Sequence, residues 1–144
     1  MASGQISFGY LLPTREVVMA PGEPDFGSMI DLAERAEEHG FDSVWCGDSV
    51  LARPRLEALS TLAAIAGRTK RVKLGTAVFL PALRNPVILA NEVANLDIVS
   101  KGRVVLGVGI ASKTPAVEKE FNACGVSFRH RVSIFEECLT VMRK

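Results

Sequence analysis

The sequence predicts an α/β fold of four βα units whose strands run parallel. Short apolar runs alternate strictly with stretches of helical periodicity, a pattern that gives right-handed crossovers in either an open doubly wound sheet or part of a barrel. Capping and breaking residues mark the boundaries, most fully between Val72 and Gly109. The chain has 144 residues, 48% hydrophobic and 23% charged, which suits one domain over 1–144 with a real core and is too apolar for disorder.

Taken in order, Ile6 to Leu12 reads as the first strand, ended by Pro13. Thr14 to Pro24 has two prolines, a glycine and no helical period, so a loop is expected there. Asp25 can cap a helix in which Phe26, Met29, Ile30, Ala33 and Ala36 share a face, closed by His39 and Gly40. Ser43 to Cys46 is a short second strand leading into Gly47, Asp48 and Ser49, and a loop follows to Arg55. Leu56 to Gly67 is helical, with Leu59, Leu62, Ala63 and Ala66 as its buried stripe.

The third unit is the best punctuated. Val72 to Val78 is a near-continuous apolar run, as expected of a strand buried on both faces. Asn85 can cap the next helix, and Pro86 fits its first position because the N–H it lacks has no partner there. Leu89, Val93 and Leu96 recur at helical spacing with Ile88 and Val99 beside them, and Lys101-Gly102 ends the helix. Val104 to Val108 is the fourth strand. A loop from Ile110 to Pro115, a short polar helix from Ala116 to Ala123 and an irregular stretch from Val126 to His130 follow. A last helix runs from Arg131 to Arg143, with Val132, Phe135, Leu139 and Met142 inward.

Composition narrows the function classes. Lys plus Arg is 17 against 16 for Asp plus Glu, a net charge of +1, which points to neither nucleic acid nor a membrane surface. Cys46, Cys124 and Cys138 are widely spaced and show no metal-finger pattern, so they read as reduced thiols serving as small core hydrophobes. The apolar start at Ile6 is short for a signal segment and no run has the length of a membrane helix. A cytoplasmic protein without a metal is expected.

In parallel α/β folds, functional residues lie just beyond the carboxyl ends of strands. Asp48 ends the second strand, where a carboxylate either orients a cofactor or moves a proton, or else serves as a loop hydrogen-bonder. Gly107-Val108-Gly109 is a weak match to a phosphate fingerprint because Ser112 stands at its third glycine position. Glycines there also permit close approach of a ring or a backbone. Thr76, Ala77 and Val78 offer small side chains to a flat ligand. Arg84 suits either an anion contact or an anchor for its loop. His39 and His130 have no catalytic partner at an informative spacing.

Gly75 to Val78, Leu83-Arg84-Asn85-Pro86, the segment Leu96 to Arg103 and Leu106 to Gly109 resemble the luciferase-like monooxygenase family in order and spacing. Ala36 to Trp45, Gly125 to Phe128, Arg131 and Glu136 extend the resemblance over nearly the whole chain. It implies a (β/α)4 half of a (β/α)8 TIM barrel, and an oxidoreductase or monooxygenase using reduced FMN or the deazaflavin F420 on a small organic substrate. A separate flavin reductase is implied if the cofactor is FMN. Under this resemblance Thr76, Ala77 and Val78 lie beside the flavin ring, with a non-prolyl cis peptide at Ala77–Val78. Gly109 to Ser112 form the loop that closes on the cofactor, and Asp48, which matches the acid of an Asp-His pair, is the expected catalytic residue.

Three departures qualify those implications. Ser49 stands where many members carry histidine, the loop after Gly109 lacks an acidic residue, and the chain ends after the fourth unit. A half-barrel has two open edges and a bare inner face. Homo-oligomerisation through the sheet edges is therefore expected. The alternative reading is a truncated or engineered half-barrel that self-associates without activity of its own. A flavodoxin-like domain is disfavoured, since no phosphate loop follows the first strand.

Overall fold

The structure is a computed structural model that describes residues 6–144. Four strands, β1 (Gly9–Leu11), β2 (Ser43–Cys46), β3 (Lys73–Thr76) and β4 (Val104–Val105), lie in the order β1-β2-β3-β4 with every pair parallel. Helices α1 (Thr14–Met19), α2 (Phe26–Glu38), α3 (Ala58–Arg68), α4 (Pro86–Ser100), α5 (Pro115–Ala123) and α6 (Arg131–Met142) alternate with them. Sequential strand order with parallel pairing is the arrangement of a barrel wall, not of a doubly wound sheet whose strand order reverses.

The sheet buries one face. Leu12, Val44, Cys46 and Leu74 pack against Met29 and Ala33 of α2, Leu62 and Ile65 of α3, and Leu89 and Leu96 of α4. Each fully buried leucine or isoleucine contributes roughly 2 kcal/mol by removing apolar surface from water. On the other face the register aligns Leu11, Trp45, Gly75 and Val105 in one row across all four strands. A Cβ at Gly75 would collide with the Trp45 ring, so the indole lies flat across β3. Its Nε1 donates to Ser43 Oγ at 2.8 Å. Leu11 is 61% exposed and Val105 39% exposed, so this row is not covered by the described residues.

Several boundaries differ from the sequence reading. The expected loop after Pro13 contains α1, a helix too short to show a period, whose Thr14 is buried and whose Val17 joins the core. All four strand ladders except β2 are shorter than their apolar runs. Beyond β4, the N–H of Gly107 turns back to Val105 O at 3.2 Å, and only a single bridge, Phe79 to Val108, continues the pairing. Glu57 caps α3 through Ser60 N, so that helix starts later than Leu56. Ile88 and Val99 of α4 and Val132 of α6 face solvent, whereas Cys138 is the residue of α6 that is buried. The helix caps at Asp25 and Asn85 form as expected, the latter accepting from Val87 N and Ile88 N.

The amino end of the sheet is fastened by two charged side chains. Arg103 is 8% exposed and donates to Ser100 O, Thr69 Oγ1, Val72 O, Ala66 O and Thr69 O. These acceptors include the last carbonyls of α3 and α4, where a cation complements the helix dipoles. The Leu96-to-Arg103 motif is thus a structural device: α4 stops at Lys101 in the left-handed region, Gly102 turns the chain, and Arg103 locks both helix ends. Glu37 performs the complementary task, accepting from the N–H groups of Lys70, Arg71 and Val72. Burial raises its pKa, but those hydrogen bonds and the Arg71 charge bring it below the ordinary value.

Arg103→Ala should lower the unfolding free energy by about 3 kcal/mol, because it leaves buried carbonyls without donors. Arg103→Lys, which cannot span both helix ends, should recover less than half of that. Urea midpoints with an unchanged slope measure both; a loss under about 0.5 kcal/mol for Arg103→Ala contradicts the assignment.

Candidate functional site

The chain leaves β3 by crossing the carboxyl edge of the sheet. Ala77 N donates to Cys46 O at 2.7 Å, Phe79 N to Gly107 O at 2.7 Å, and Gly109 N to Phe79 O at 2.9 Å. The Ala77–Val78 peptide is cis, as the resemblance implies. Ala77 is exposed and Val78 is 47% exposed, whereas Phe79 is fully buried. A Cβ at Gly109 would stand 2.7 Å from Val78 Cγ2, so glycine is what allows the fourth loop to lie against Val78.

Asp48 fixes the loop that follows. Its Oδ2 accepts from Arg84 Nη1 at 2.7 Å and from Leu80 N at 2.9 Å, and its Oδ1 accepts from Arg84 Nη2 at 2.8 Å. The Asp48 side chain is 2% exposed, and the guanidinium also stacks 4.1 Å above the Phe79 ring. A bidentate pair with a stacked guanidinium is a rigid joint between the ends of β2 and β3. Of the two readings open for Arg84, the loop anchor is the one observed, and Asp48 is engaged as the loop hydrogen-bonder.

The loop after β2 is held from a third direction. Glu120 of α5 is 1% exposed, and its Oε1 accepts from Ser49 Oγ at 2.8 Å, Val50 N at 2.5 Å, Leu51 N at 2.7 Å and Ala52 N at 3.2 Å. Burial raises the pKa of this carboxyl, but the bonds from Leu51, Ser49, Ala52 and Val50 outweigh it and hold the group below the ordinary value. Ser49 Oγ in turn accepts from Arg53 N at 2.9 Å. Ser49 is thereby committed to the loop's internal structure.

These loops enclose a cleft of about 220 Å³ whose lining includes Asp48, Arg55, Ala77, Val78, Ser112 and Glu120. Of the residues expected from sequence, Asp48, Ala77, Val78 and Ser112 come together there. Two do not line it: Thr76 is buried and donates its hydroxyl to Gly107 O at 2.8 Å, and Gly109 lies behind Val78. Ala111, in the same lining, has φ +61°, a left-handed conformation that is uncommon for a residue with a Cβ. A larger groove of about 760 Å³ runs between α3 and α4, but it contains none of the six expected site residues. Among the described residues, no three His, Cys, Asp or Glu side chains are grouped to hold a metal. No helix among the described residues is long and apolar enough to cross a membrane.

Sequence reasoning missed Glu120 and Arg55. Glu120 sits in a polar helix among Glu118, Lys119 and Asn122, and its partners lie some 70 positions earlier. No local pattern announces such a contact.

A family model described as luciferase-like monooxygenase matches residues 6–144. An F420-dependent glucose-6-phosphate dehydrogenase of Amycolatopsis mediterranei is 46% identical over 88 residues, 56% of this chain and 26% of that protein. A 5,10-methylenetetrahydromethanopterin reductase of Methanolobus tindarius is 35% identical over 127 residues, 88% of this chain and 36% of that protein. The crystal structure of the monooxygenase RslO1 from Streptomyces bottropensis matches with a TM-score of 0.78 at 30% identity, covering 96% of this chain and 42% of that one. The chain therefore spans well under half the length of the relatives it matches, and its four-stranded sheet corresponds to part of their TIM barrel.

Because the folded Glu120 carboxyl titrates below the ordinary 4.5, its contribution to stability is complete above that pH and is lost as pH falls through the folded value. Glu120→Ala should cost about 3 kcal/mol at pH 7, since it strands four donors around one buried position. Glu120→Gln keeps an acceptor but not the charge, and its deficit against the parent should shrink as pH drops below about 4.5. Urea titrations from pH 7 to pH 3 measure this. A deficit that stays constant across that range contradicts the role given to the charge.

Proposed function

The chain belongs to the luciferase-like monooxygenase family, and from that premise we propose that the carboxyl end of its sheet forms one wall of a site for a reduced deazaflavin or flavin. The observation that carries this reading is the convergence of exposed Ala77 and Val78 with Ser112 in one cleft beyond the strands. The residues present fit one face of a flat ring: the surface is apolar and low, and Gly109 keeps the fourth loop pressed against Val78. The names of the F420-dependent glucose-6-phosphate dehydrogenases among the relatives favour F420 over FMN.

Bound there in its reduced form, the cofactor supplies the electron pair for oxidoreductase or monooxygenase chemistry on a small organic substrate. This chain's own residues bind and orient. Ala77 and Val78 pack against the ring and exclude water from that face. Ser112, exposed at the rim, offers a hydroxyl to a polar edge. Asp48 is a positioning residue, since both of its oxygens are spent on Arg84 and Leu80 N and it holds the loop that begins at Phe79. If the cofactor is FMN, a separate reductase would keep it reduced.

Trp45, the sole tryptophan, lies on the uncovered face of β2 and reports on ring binding by quenching. F420 should quench it with a Kd below about 1 mM, and Val78→Glu should weaken binding at least about tenfold. Failure of both F420 and FMN to bind below about 1 mM removes the proposal for this chain.

The row of exposed Leu11, half-buried Trp45 and exposed Val105, flanked by edges of β1 and β4 that are unpaired among the described residues, favours a second reading of the same molecule: self-association that covers the inner face. Light scattering at micromolar concentration should give a dimer or larger species. A monodisperse monomer contradicts it.

A further inference from the structure

Arg53 and Arg55 are used by nothing described so far, yet the loop that carries them is among the most firmly held in the molecule. Asp48 fixes its start and Glu120 its middle, and beyond these Leu56 N donates to Thr14 O at 3.1 Å. Within it, Arg53 N donates to Ser49 Oγ and Arg55 Nε to Arg53 O at 3.2 Å. The backbone thus presents two guanidinium groups, two residues apart, from a fixed platform. Both side chains line the cleft that contains Ala77, Val78 and Ser112. A Cβ at Gly47 would collide with the Arg55 guanidinium, which therefore lies across the carboxyl end of β2, on the side of the Ala77 carbonyl. Its charge is felt by the buried Cys46 thiol, which burial and Glu57 push up to about 12 and Arg55 opposes.

The neighbouring carboxylates are committed elsewhere. Asp48 is paired with Arg84, Glu120 accepts four hydrogen bonds on one oxygen, and Glu57 caps α3 and reaches Arg84 at 3.5 Å. Among the described residues, neither Arg53 nor Arg55 has a carboxylate within 4.0 Å. Asp48 and Glu120 both line the cleft, so its two free guanidinium charges stand beside two carboxylates that are already satisfied, Asp48 by Arg84 and Leu80 N and Glu120 by N–H and O–H donors. We propose that Arg53 and Arg55 form an anion subsite that receives a carboxylate or phosphate group carried by the substrate. The planar guanidinium fork matches both groups in geometry and charge. The inference rests on the reading of the cleft as a redox site and adds the class of substrate: a small anionic molecule whose charged end is held at the mouth while its other end faces the ring wall.

The full chain, labelled with 15N, is titrated with inorganic phosphate and separately with succinate at low salt, and the arginine Nε–Hε signals are followed by NMR. Saturable shifts at Arg53 and Arg55, with binding weakened at least about tenfold by Arg55→Gln and by Arg53→Gln, support the subsite. Arg15→Gln, an exposed substitution on α1, should leave binding unchanged. Tighter binding of phosphate or of succinate assigns the charged group. Equal affinity in the parent and in the Arg53→Gln/Arg55→Gln double variant, or shifts at Arg15 as large as those at Arg55, overturns the proposal. The F420 titration is read independently. Cofactor binding without a response to either phosphate or succinate defeats the subsite alone, and a response to either anion without cofactor binding defeats the redox reading while leaving an anion site.

Discussion

Glu120 accepts four hydrogen bonds on one oxygen, and through them a helix that follows β4 fixes a loop that follows β2. Loops of an α/β fold emerge from the sheet with unpaired N–H groups, and a cleft can be built from them only if those groups are satisfied without being covered. Here a single buried carboxylate does this from behind. It leaves the front of the loop, with Arg53 and Arg55, facing the cleft. The Asp48–Arg84 pair adds the second joint, between the ends of β2 and β3. The exposed pair Ala77 and Val78 sits between the two joints, so its geometry is set by charged contacts on both sides.

The unpaired carbonyl and N–H groups around the sheet are satisfied by different chemistry for a physical reason. At the amino end, strands begin where helices finish, so carbonyl groups accumulate, and Arg103 supplies the donors. Loop N–H groups at both ends need acceptors, and carboxylates supply them: Glu37 before β3 at the amino end and Glu120 after β2 at the carboxyl end. The specific Leu96-to-Arg103 motif therefore belongs to stability, at the end of the sheet opposite the cleft. None of its residues lines the cleft.

Much of this was legible in the sequence where local rules apply. Asn85 and Pro86 announced the start of α4, Lys101 and Gly102 its end, and the alternation of apolar runs gave four parallel strands. The position rule for parallel sheets found Asp48, Ala77, Val78 and Ser112, which the fold brings together. Thr76 does not line the cleft because a strand's side chains alternate: it is buried on the helical side while Gly75 and Ala77 take the other side. Ile88 and Val99, beside the stripe of Leu89, Val93 and Leu96, face solvent; α4 is apolar around most of its circumference, so periodicity alone does not mark where its buried face ends. Glu120 was invisible since its contacts span about half the chain. The strand ends were overextended because apolar runs continue past the last ladder bond into residues that line the cleft.

The sheet corresponds to one wall of the TIM barrel of the relatives it matches, which are more than twice as long, and its register leaves Leu11, Trp45, Gly75 and Val105 facing away from the helices. What the chain can be held to is that wall. Methyl NMR of the 13C-labelled chain during an F420 titration tests it most directly, because an aromatic ring stacked on Val78 moves its methyl signals through the ring current. The account predicts large shifts for Val78 and Ala77, with Ile88 and Val99 on the α3–α4 groove unmoved. Shifts confined to the groove, or none at Val78 while F420 is bound, would contradict it.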